Sequence, residues 1–183
     1  MVILVDKDDN PIGKSSKIEA HEKNLLHRAF SVFIFNSEGK ILMQQRAKDK
    51  YHSAGLWTNT CCSHPFPGED IYAAAYRRLW EEMGIKTELK YLMKFQYYAP
   101  FDNGLTEYEI DSVFIGYCDK KPVINKEEVQ AYKYMDFQNI EEDIIENPEN
   151  YTVWFKIIFE RLLYELDSER LELPVGHSTF ESH

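Results

Sequence analysis

The sequence predicts an α+β domain, on three observations. Strand-like and helix-like segments alternate along 183 residues, no internal repeat or linker separates them, and the length suits one core. At this size folding buries roughly two thirds of the chain's surface. One domain over residues 1–183 is therefore expected, with a tail from about 167 to 183 that is either ordered or loose.

Taken in order, His27 to Phe35 is apolar and aromatic, and Asn36 to Lys40 turns the chain before Ile41 to Gln45. The pair reads as a β-hairpin. Asp70 to Met83 carries Tyr72, Ala75, Tyr76, Leu79, Trp80 and Met83 at helical spacing, with Gly84 as a C-terminal stop. Leu89 to Tyr98 and Glu107 to Tyr117 read as two strands around the turn-rich Pro100 to Gly104. Side chains alternate along a strand, so Glu107, Glu109 and Asp111 share one face. Lys126 to Ala131 suggests the start of a short helix. Asn147-Pro148-Glu149 is expected to open a long helix running through Leu166.

Composition excludes several roles. The formal charge of −10, from 21 basic and 31 acidic residues, argues against wholesale binding to nucleic acid or an anionic membrane. An anionic ligand would need a local cationic pocket or metal ions. No apolar run approaches the roughly 20 residues of a membrane span, and Met1 to Asp6 is too short and acidic for a signal peptide. A cytoplasmic protein, monomeric or weakly dimeric, is expected. Cys61, Cys62 and Cys118 are odd in number, and two are adjacent, which favours reduced thiols over a disulfide framework.

Two groups of residues carry chemistry. His21, His27, His64, Glu107 and Glu109 combine imidazole with carboxylate, a set that suits manganese, zinc or iron. Spacing alone does not prove a site: a lone histidine is ordinarily a surface or satisfied core residue, and two glutamates on a strand make a solvated face. The second group is the segment from Ser63 to Ile85, which resembles the Nudix box, a loop–helix–loop that binds a metal-diphosphate. Glu69, Arg77, Glu81, Glu82, Gly84 and Ile85 match it in register. Ser63 replaces its opening glycine and Arg78 replaces the glutamate after the arginine. That reversal of charge argues against simple hydrolysis, although Arg78 and Glu82, four apart, also fit an ordinary helix-surface ion pair.

Three further segments are similar to the type I isopentenyl-diphosphate delta-isomerase family of the Nudix superfamily. They are Leu26 to Val32, Trp57 to Pro65 and Glu107 to Asp111, with Trp154 to Ile158 resembling its late motif. The likeness runs in order from about Val2 to Leu166. It implies a Nudix-type mixed β-sheet sandwiched between helices. It also implies that His21, His27, His64, Glu107 and Glu109 bind one divalent ion, manganese or zinc, with His21 the least secure ligand. Glu82 would bind a magnesium ion bridging the diphosphate of a small-molecule substrate. Lys17, Arg46, Lys50 and Arg78 would meet its oxygens, accommodating about three negative charges.

The implied reaction interconverts isopentenyl and dimethylallyl diphosphate by adding a proton at one carbon and removing another two carbons away. Cys62 and Glu109 are the family's proton-transfer pair, with Tyr97 assisting Glu109 and Trp154 shielding the cation by a cation–π contact. A buried hydrophobe is the commoner fate of a free cysteine. If Cys62-Ser63-His64 is extended, however, Cys62 points with His64 and Cys61 points away. Two rivals share the fold: a Nudix hydrolase of a nucleoside or prenyl diphosphate, and a catalytically silent domain that only binds. Arg78 weighs against the first, and retention of both Cys62 and Glu109 against the second.

Overall fold

A computed structural model describes residues 1–168 and 171–173. Its nine strands form one mixed sheet organised around β3 (His27–Phe35). One edge of β3 runs parallel to β8 (Thr106–Tyr117) over nine register pairs from His27↔Glu109 to Phe35↔Tyr117. The other edge meets three partners in turn: β1 (Val2–Val5) at Leu4↔His27, β6 (Cys61–Ser63) at Phe30 to Val32, and β4 (Ile41–Arg46) at Phe35↔Ile41. β7 (Leu89–Pro100) pairs antiparallel with β8, β2 (Pro11–Ser15) with β1, and β5 (Trp57–Thr58) with β4.

Helices cover both faces, as the expected sandwich requires. On one face α2 (Ile71–Met83) packs Ala74, Ala75, Leu79 and Met83 against Phe30, Val32, Ile34 and Cys61. On the other, α4 (Val153–Asp167) packs Phe155, Ile158 and Leu162 against Phe33, Phe35 and Val113. The alternation along β3 explains both layers, since consecutive residues face opposite cores. Asp70 caps α2 by accepting from the Ala73 amide. Gly84 ends it in the left-handed conformation, φ 64°.

Several elements differ from expectation. Lys126 to Ala131 is not a helix start. Asn125 accepts from the Glu128 and Val129 amides to make a single turn, and β9 (Val129–Met135) then pairs along β4. An available sheet edge outcompetes the local helical tendency. Pro148 opens only a 3-10 turn, Pro148–Asn150. Tyr151 is extended, the Thr152 amide donates to Trp57 O, and Thr152 Oγ1 caps α4, so the long helix begins at Val153. A separate helix, α3 (Phe137–Glu146), capped by Asp136, precedes it. The N-terminal hairpin β1–β2 and the short α1 (Lys17–Glu22) were not anticipated. Of the tail, Leu171 is buried against the α4 core, while 169–170 and 174–183 lie outside the described residues.

Candidate active site and metal centre

The sheet brings the histidines and acids together. β8 alternation turns Glu107, Glu109 and Asp111 inward, all at most 5% exposed. His27 is the register partner of Glu109 and its Nε2 lies 3.2 Å from Glu109 Oε1. His64, just beyond β6, places Nε2 2.7 Å from the same oxygen. His21, delivered by α1, has Nε2 3.2 Å from Glu107 Oε2. Ser16 caps that helix by accepting from the Glu19 amide.

The donor chemistry fits a divalent cation. Ligand atoms of His21, His27, His64 and Glu109 all lie within 4.8 Å of one another. The inner nitrogen is Nε2 in each histidine, and in two of them the outer one has a partner: His27 Nδ1 lies 2.8 Å from Leu25 O and His21 Nδ1 2.6 Å from the Tyr51 hydroxyl. Metal-ligating histidines show this arrangement, because an outer-shell acceptor fixes the tautomer. Burial pushes His64 down to about 4, toward the neutral form that ligates a metal, against the opposing pull of Glu109. Burial opposes ionisation of Glu109, but His64 and His27 more than offset it and hold the carboxyl well below the usual range.

Sequence reasoning missed His52. Its Nε2 lies 3.0 Å from Glu107 Oε1, and His21, His52 and Glu107 form a second possible donor group overlapping the first. All four histidines among the described residues thus gather here. A single histidine in the polar loop after β4 offers no periodic signal, which is why it escaped notice.

A cleft beside this centre is lined by Lys17, Arg46, Cys62, Tyr97, Glu109 and Trp154, together with His52 and Asp111. Its empty space, open to solvent on one side, is about 330 Å³. Cys62 and Glu109 reach the cleft from strands on opposite edges of β3, as register partners of Ser31 and His27. Burial pushes the Cys62 thiol up to about 12, against the lowering effect of Arg46. Cys61 sits instead in the α2 core, fully buried. Tyr97, the partner of Glu109 across β7, donates to Glu109 Oε2 at 2.7 Å. Asp111 accepts from Ser31 Oγ at 2.7 Å, leaves Oδ1 unpartnered, and is driven well above the usual range by burial and by Glu109.

The cations divide between two places. Arg46 lies over the Trp154 ring, 5.1 Å from its centre, and Lys17 over Tyr51 at 5.4 Å. Burial draws the Lys17 ammonium downward, countered by Glu107. Trp154 Nε1 is buried without a partner. Lys50, Arg78 and Glu82 do not line this cleft. Arg78 bonds Glu82 Oε1 at 2.6 Å and Glu81 at 2.7 Å and approaches Glu128 at 3.4 Å, while Lys50 pairs with Glu128. Glu82 Oε2 accepts from Gln44 at 2.9 Å. The helix itself is anchored by Arg77, which bonds both oxygens of Glu69 at 2.8 and 3.0 Å.

Comparisons with known proteins agree with this architecture. The NUDIX domain model matches residues 25–155. An isopentenyl-diphosphate Delta-isomerase of Photorhabdus laumondii is 52% identical over 165 residues, covering 90% of this chain and 93% of that protein. One from Serratia proteamaculans is 51% identical over 162 residues, covering 88% and 90%. Among solved structures, a Deinococcus radiodurans protein superposes with a TM-score of 0.73 at 18% identity, covering 87% of this chain and 97% of its own. A MutT protein from Methanosarcina mazei does so at 0.64 and 21%, covering 80% and 96%. Those two likenesses show the fold alone. No helix among the described residues is long and apolar enough to cross a membrane. From the domain match and an identity of about one half along most of both chains, the protein belongs to the isopentenyl-diphosphate Delta-isomerases of the NUDIX superfamily.

Proposed function

We propose that this chain is the isomerase that interconverts isopentenyl diphosphate and dimethylallyl diphosphate, with Cys62 and Glu109 as its acid–base pair. The observation that carries the assignment of residues is that a thiol and a carboxyl group line one cleft from opposite edges of β3.

The chemistry needs both groups. Protonation of the terminal methylene forms a C–H bond and leaves a tertiary cation at the next carbon. Loss of a proton from the carbon beyond it then places the double bond there, so one proton enters and one leaves. Glu109, with Tyr97 bonded to its Oε2, is assigned delivery in the forward direction, and Cys62 removal. Forward turnover therefore starts from the carboxylic acid and the thiolate and ends with the carboxylate and the thiol; the roles exchange on reversal, and proton exchange with solvent restores the starting pair. The Cys62 thiol, pushed up to about 12 by burial, beside a Glu109 carboxyl held low is the state that forward turnover leaves, and in it Cys62 is the donor and Glu109 the acceptor of the reverse reaction. Positioned acid–base catalysis contributes roughly 10²–10⁴-fold, so shielding of the cation must add to it. Trp154 is assigned that role, worth about 2 kcal/mol for a desolvated cation over indole.

His21, His27, His64, Glu107 and Glu109 would hold one divalent ion, manganese or zinc, which would fix the position of the Glu109 carboxyl group and offset the negative charge that Glu107 and Glu109 bring together. Glu82 would hold magnesium together with the diphosphate, and the chemistry supplied there would be neutralisation of phosphate charge. Lys17 and Arg46 at the cleft, with Lys50 and Arg78 beyond it, are assigned to the diphosphate oxygens. For Arg78 and Lys50 this requires that the substrate compete with Glu82 and Glu128 for their guanidinium and ammonium groups.

Incubating the purified protein with magnesium, manganese and isopentenyl diphosphate tests the reading. The allylic isomer is the expected product, whereas release of inorganic phosphate or pyrophosphate without isomer would replace isomerisation by hydrolysis.

A further inference from the structure

His52 and its neighbour Tyr51 stand where nothing in the proposed reaction needs them, yet both touch the histidine–carboxylate centre. The loop that carries them leaves β4 at Arg46 and is drawn back toward it: Arg46 Nη2 donates to His52 O at 3.3 Å and Nε to Ser53 O at 3.2 Å. Ser53 takes a left-handed backbone, φ 51°, a conformation that costs a non-glycine residue roughly 1 kcal/mol or more and persists only where the surroundings impose it. The His52 ring is stacked on Phe101 at 5.2 Å and meets the edge of Trp154 at 5.9 Å, so it is 6% exposed and fixed in orientation.

That orientation divides the two oxygens of Glu107. Oε2 lies 3.2 Å from His21 Nε2, on the side of the donor cluster, and Oε1 lies 3.0 Å from His52 Nε2. His52 Nδ1 is 3.3 Å from Ser53 Oγ, and a hydroxyl hydrogen given to Nδ1 places the ring hydrogen on Nε2, facing Glu107. Nε2 is buried and, although only 3.0 Å from Glu107 Oε1, makes no hydrogen bond with it in this arrangement, so Glu107 is the acceptor within its reach. Tyr51 stands to His21 as Leu25 O stands to His27, its hydroxyl 2.6 Å from Nδ1 while Nε2 faces inward, and with a metal on Nε2 the ring hydrogen would sit on Nδ1 and be donated to Tyr51.

We propose that Tyr51 and His52 are positioning residues for the metal centre: Tyr51 fixes the tautomer of His21, and His52 holds the outer oxygen of Glu107. The proposal rests on the reading of His21, His27, His64, Glu107 and Glu109 as metal ligands. It adds that the loop after β4, which also carries Lys50, is tied to that centre through two side chains. Partners of this kind orient ligands that flexible carboxylates and imidazoles would otherwise present in several ways.

The test titrates Mn²⁺ alone and Zn²⁺ alone into metal-free full-length protein and measures affinity by chelator competition. His52→Ala and Tyr51→Phe are each expected to weaken binding by about 10- to 100-fold, the usual consequence of losing an outer-shell partner. His52→Gln, whose amide N–H still reaches toward Glu107, is expected to recover most of the loss. X-ray absorption of the loaded protein should count the same number of imidazole ligands in wild type and His52→Gln. Unchanged affinity in both His52→Ala and Tyr51→Phe overturns the proposal, and so does a count that falls by one in His52→Gln, which would make His52 a ligand. His27→Ala separates the two levels. Loss of metal there with none in His52→Ala refutes only the positioning role, whereas a wild type that takes up no ion removes the metal reading and this proposal together.

Discussion

The Tyr97 hydroxyl donates to Glu109 Oε2 at 2.7 Å, while His27 and His64 approach Glu109 Oε1 at 3.2 and 2.7 Å. One carboxylate therefore presents two different oxygens, one turned to the imidazoles and one to a phenol. A hydrogen bond to a charged group contributes about 1.5–3 kcal/mol, which corresponds to roughly 10- to 100-fold in rate when it acts in the transition state. Tyr97→Phe should accordingly lower kcat by that factor with KM and metal content little changed. Steady-state kinetics with metal analysis checks this, and an unaltered kcat would reduce Tyr97 to a packing residue.

Adjacent cysteines on β6 point to opposite faces of the sheet, and only Cys62 lines the cleft. Cys62→Ala should cost on the order of 10²–10⁴-fold in turnover and leave the melting temperature nearly unchanged. Cys61→Ala should do the opposite, lowering stability by about 1 kcal/mol through a small void among Phe30, Leu79 and Met83 while sparing kcat. If the two effects are exchanged, the wrong thiol has been assigned.

How much of this was legible depended on periodicity. Period two placed Glu107, Glu109 and Asp111 on one face and separated Cys62 from Cys61. Helical spacing from Asp70 to Met83 gave α2 together with its cap. Elements whose local signal was short or diluted were missed. Ser16-Lys17-Ile18-Glu19 has the spacing of a capping box, yet α1 has only six residues. In α3 the apolar Phe137, Ile140 and Ile144 are interrupted by Glu141, Glu142 and Asp143. β9 is set by its pairing with β4, a long-range contact that no window around Lys126 contains. Tyr51 and His52 belong to the centre only because the loop folds back on Arg46.

Arg78 occupies the centre of an acidic group, bonding Glu81 and Glu82 and approaching Glu128. Glu81, Glu82 and Glu128 place three carboxylates around one guanidinium, with Lys50 on the far side of Glu128. Arg78→Glu replaces the shared cation by a fourth acid, so a diphosphate meets repulsion where it is proposed to meet a bidentate donor. KM for isopentenyl diphosphate should rise by at least about tenfold. An unchanged KM would leave Arg78 as a structural ion pair of α2.

Metal loading should also appear as stability. His21, His27, Glu107 and Glu109 are at most 5% exposed, so two carboxylates share a dry site that a bound cation would neutralise. A ligand present at 100 times its dissociation constant stabilises the native state by about 2.7 kcal/mol. For a chain of this size that corresponds to roughly 5–10 °C in melting temperature. Melting with Mn²⁺ or Zn²⁺ against excess chelator is the measurement. A shift that persists in His27→Ala would place the stabilising ion elsewhere.

Gly84 links the end of α2 to the approach to β9. Its φ is 64°, and a Cβ added there would stand 2.8 Å from both Val123 Cβ and Val123 O. Val123 is held in place because its backbone N–H donates a hydrogen bond to Met83 O, and Asn125 because its N–H donates to Glu82 O. Gly84→Ala therefore incurs both backbone strain, roughly 1–2 kcal/mol, and a clash with backbone that cannot swing aside. Gly55→Ala isolates the first cost, because at φ 72° nothing lies within 4 Å of its added Cβ. Thermal melting should show Gly84→Ala destabilised by about 1–3 kcal/mol more than Gly55→Ala, as expected for overpacking against a fixed neighbour. Because the displaced segment leads to Glu128, the partner of Lys50 and neighbour of Arg78, Gly84→Ala should also raise KM for the diphosphate. Equal destabilisation by the two substitutions would mean that the 123–125 segment yields freely, and that α2 does not fix Glu128.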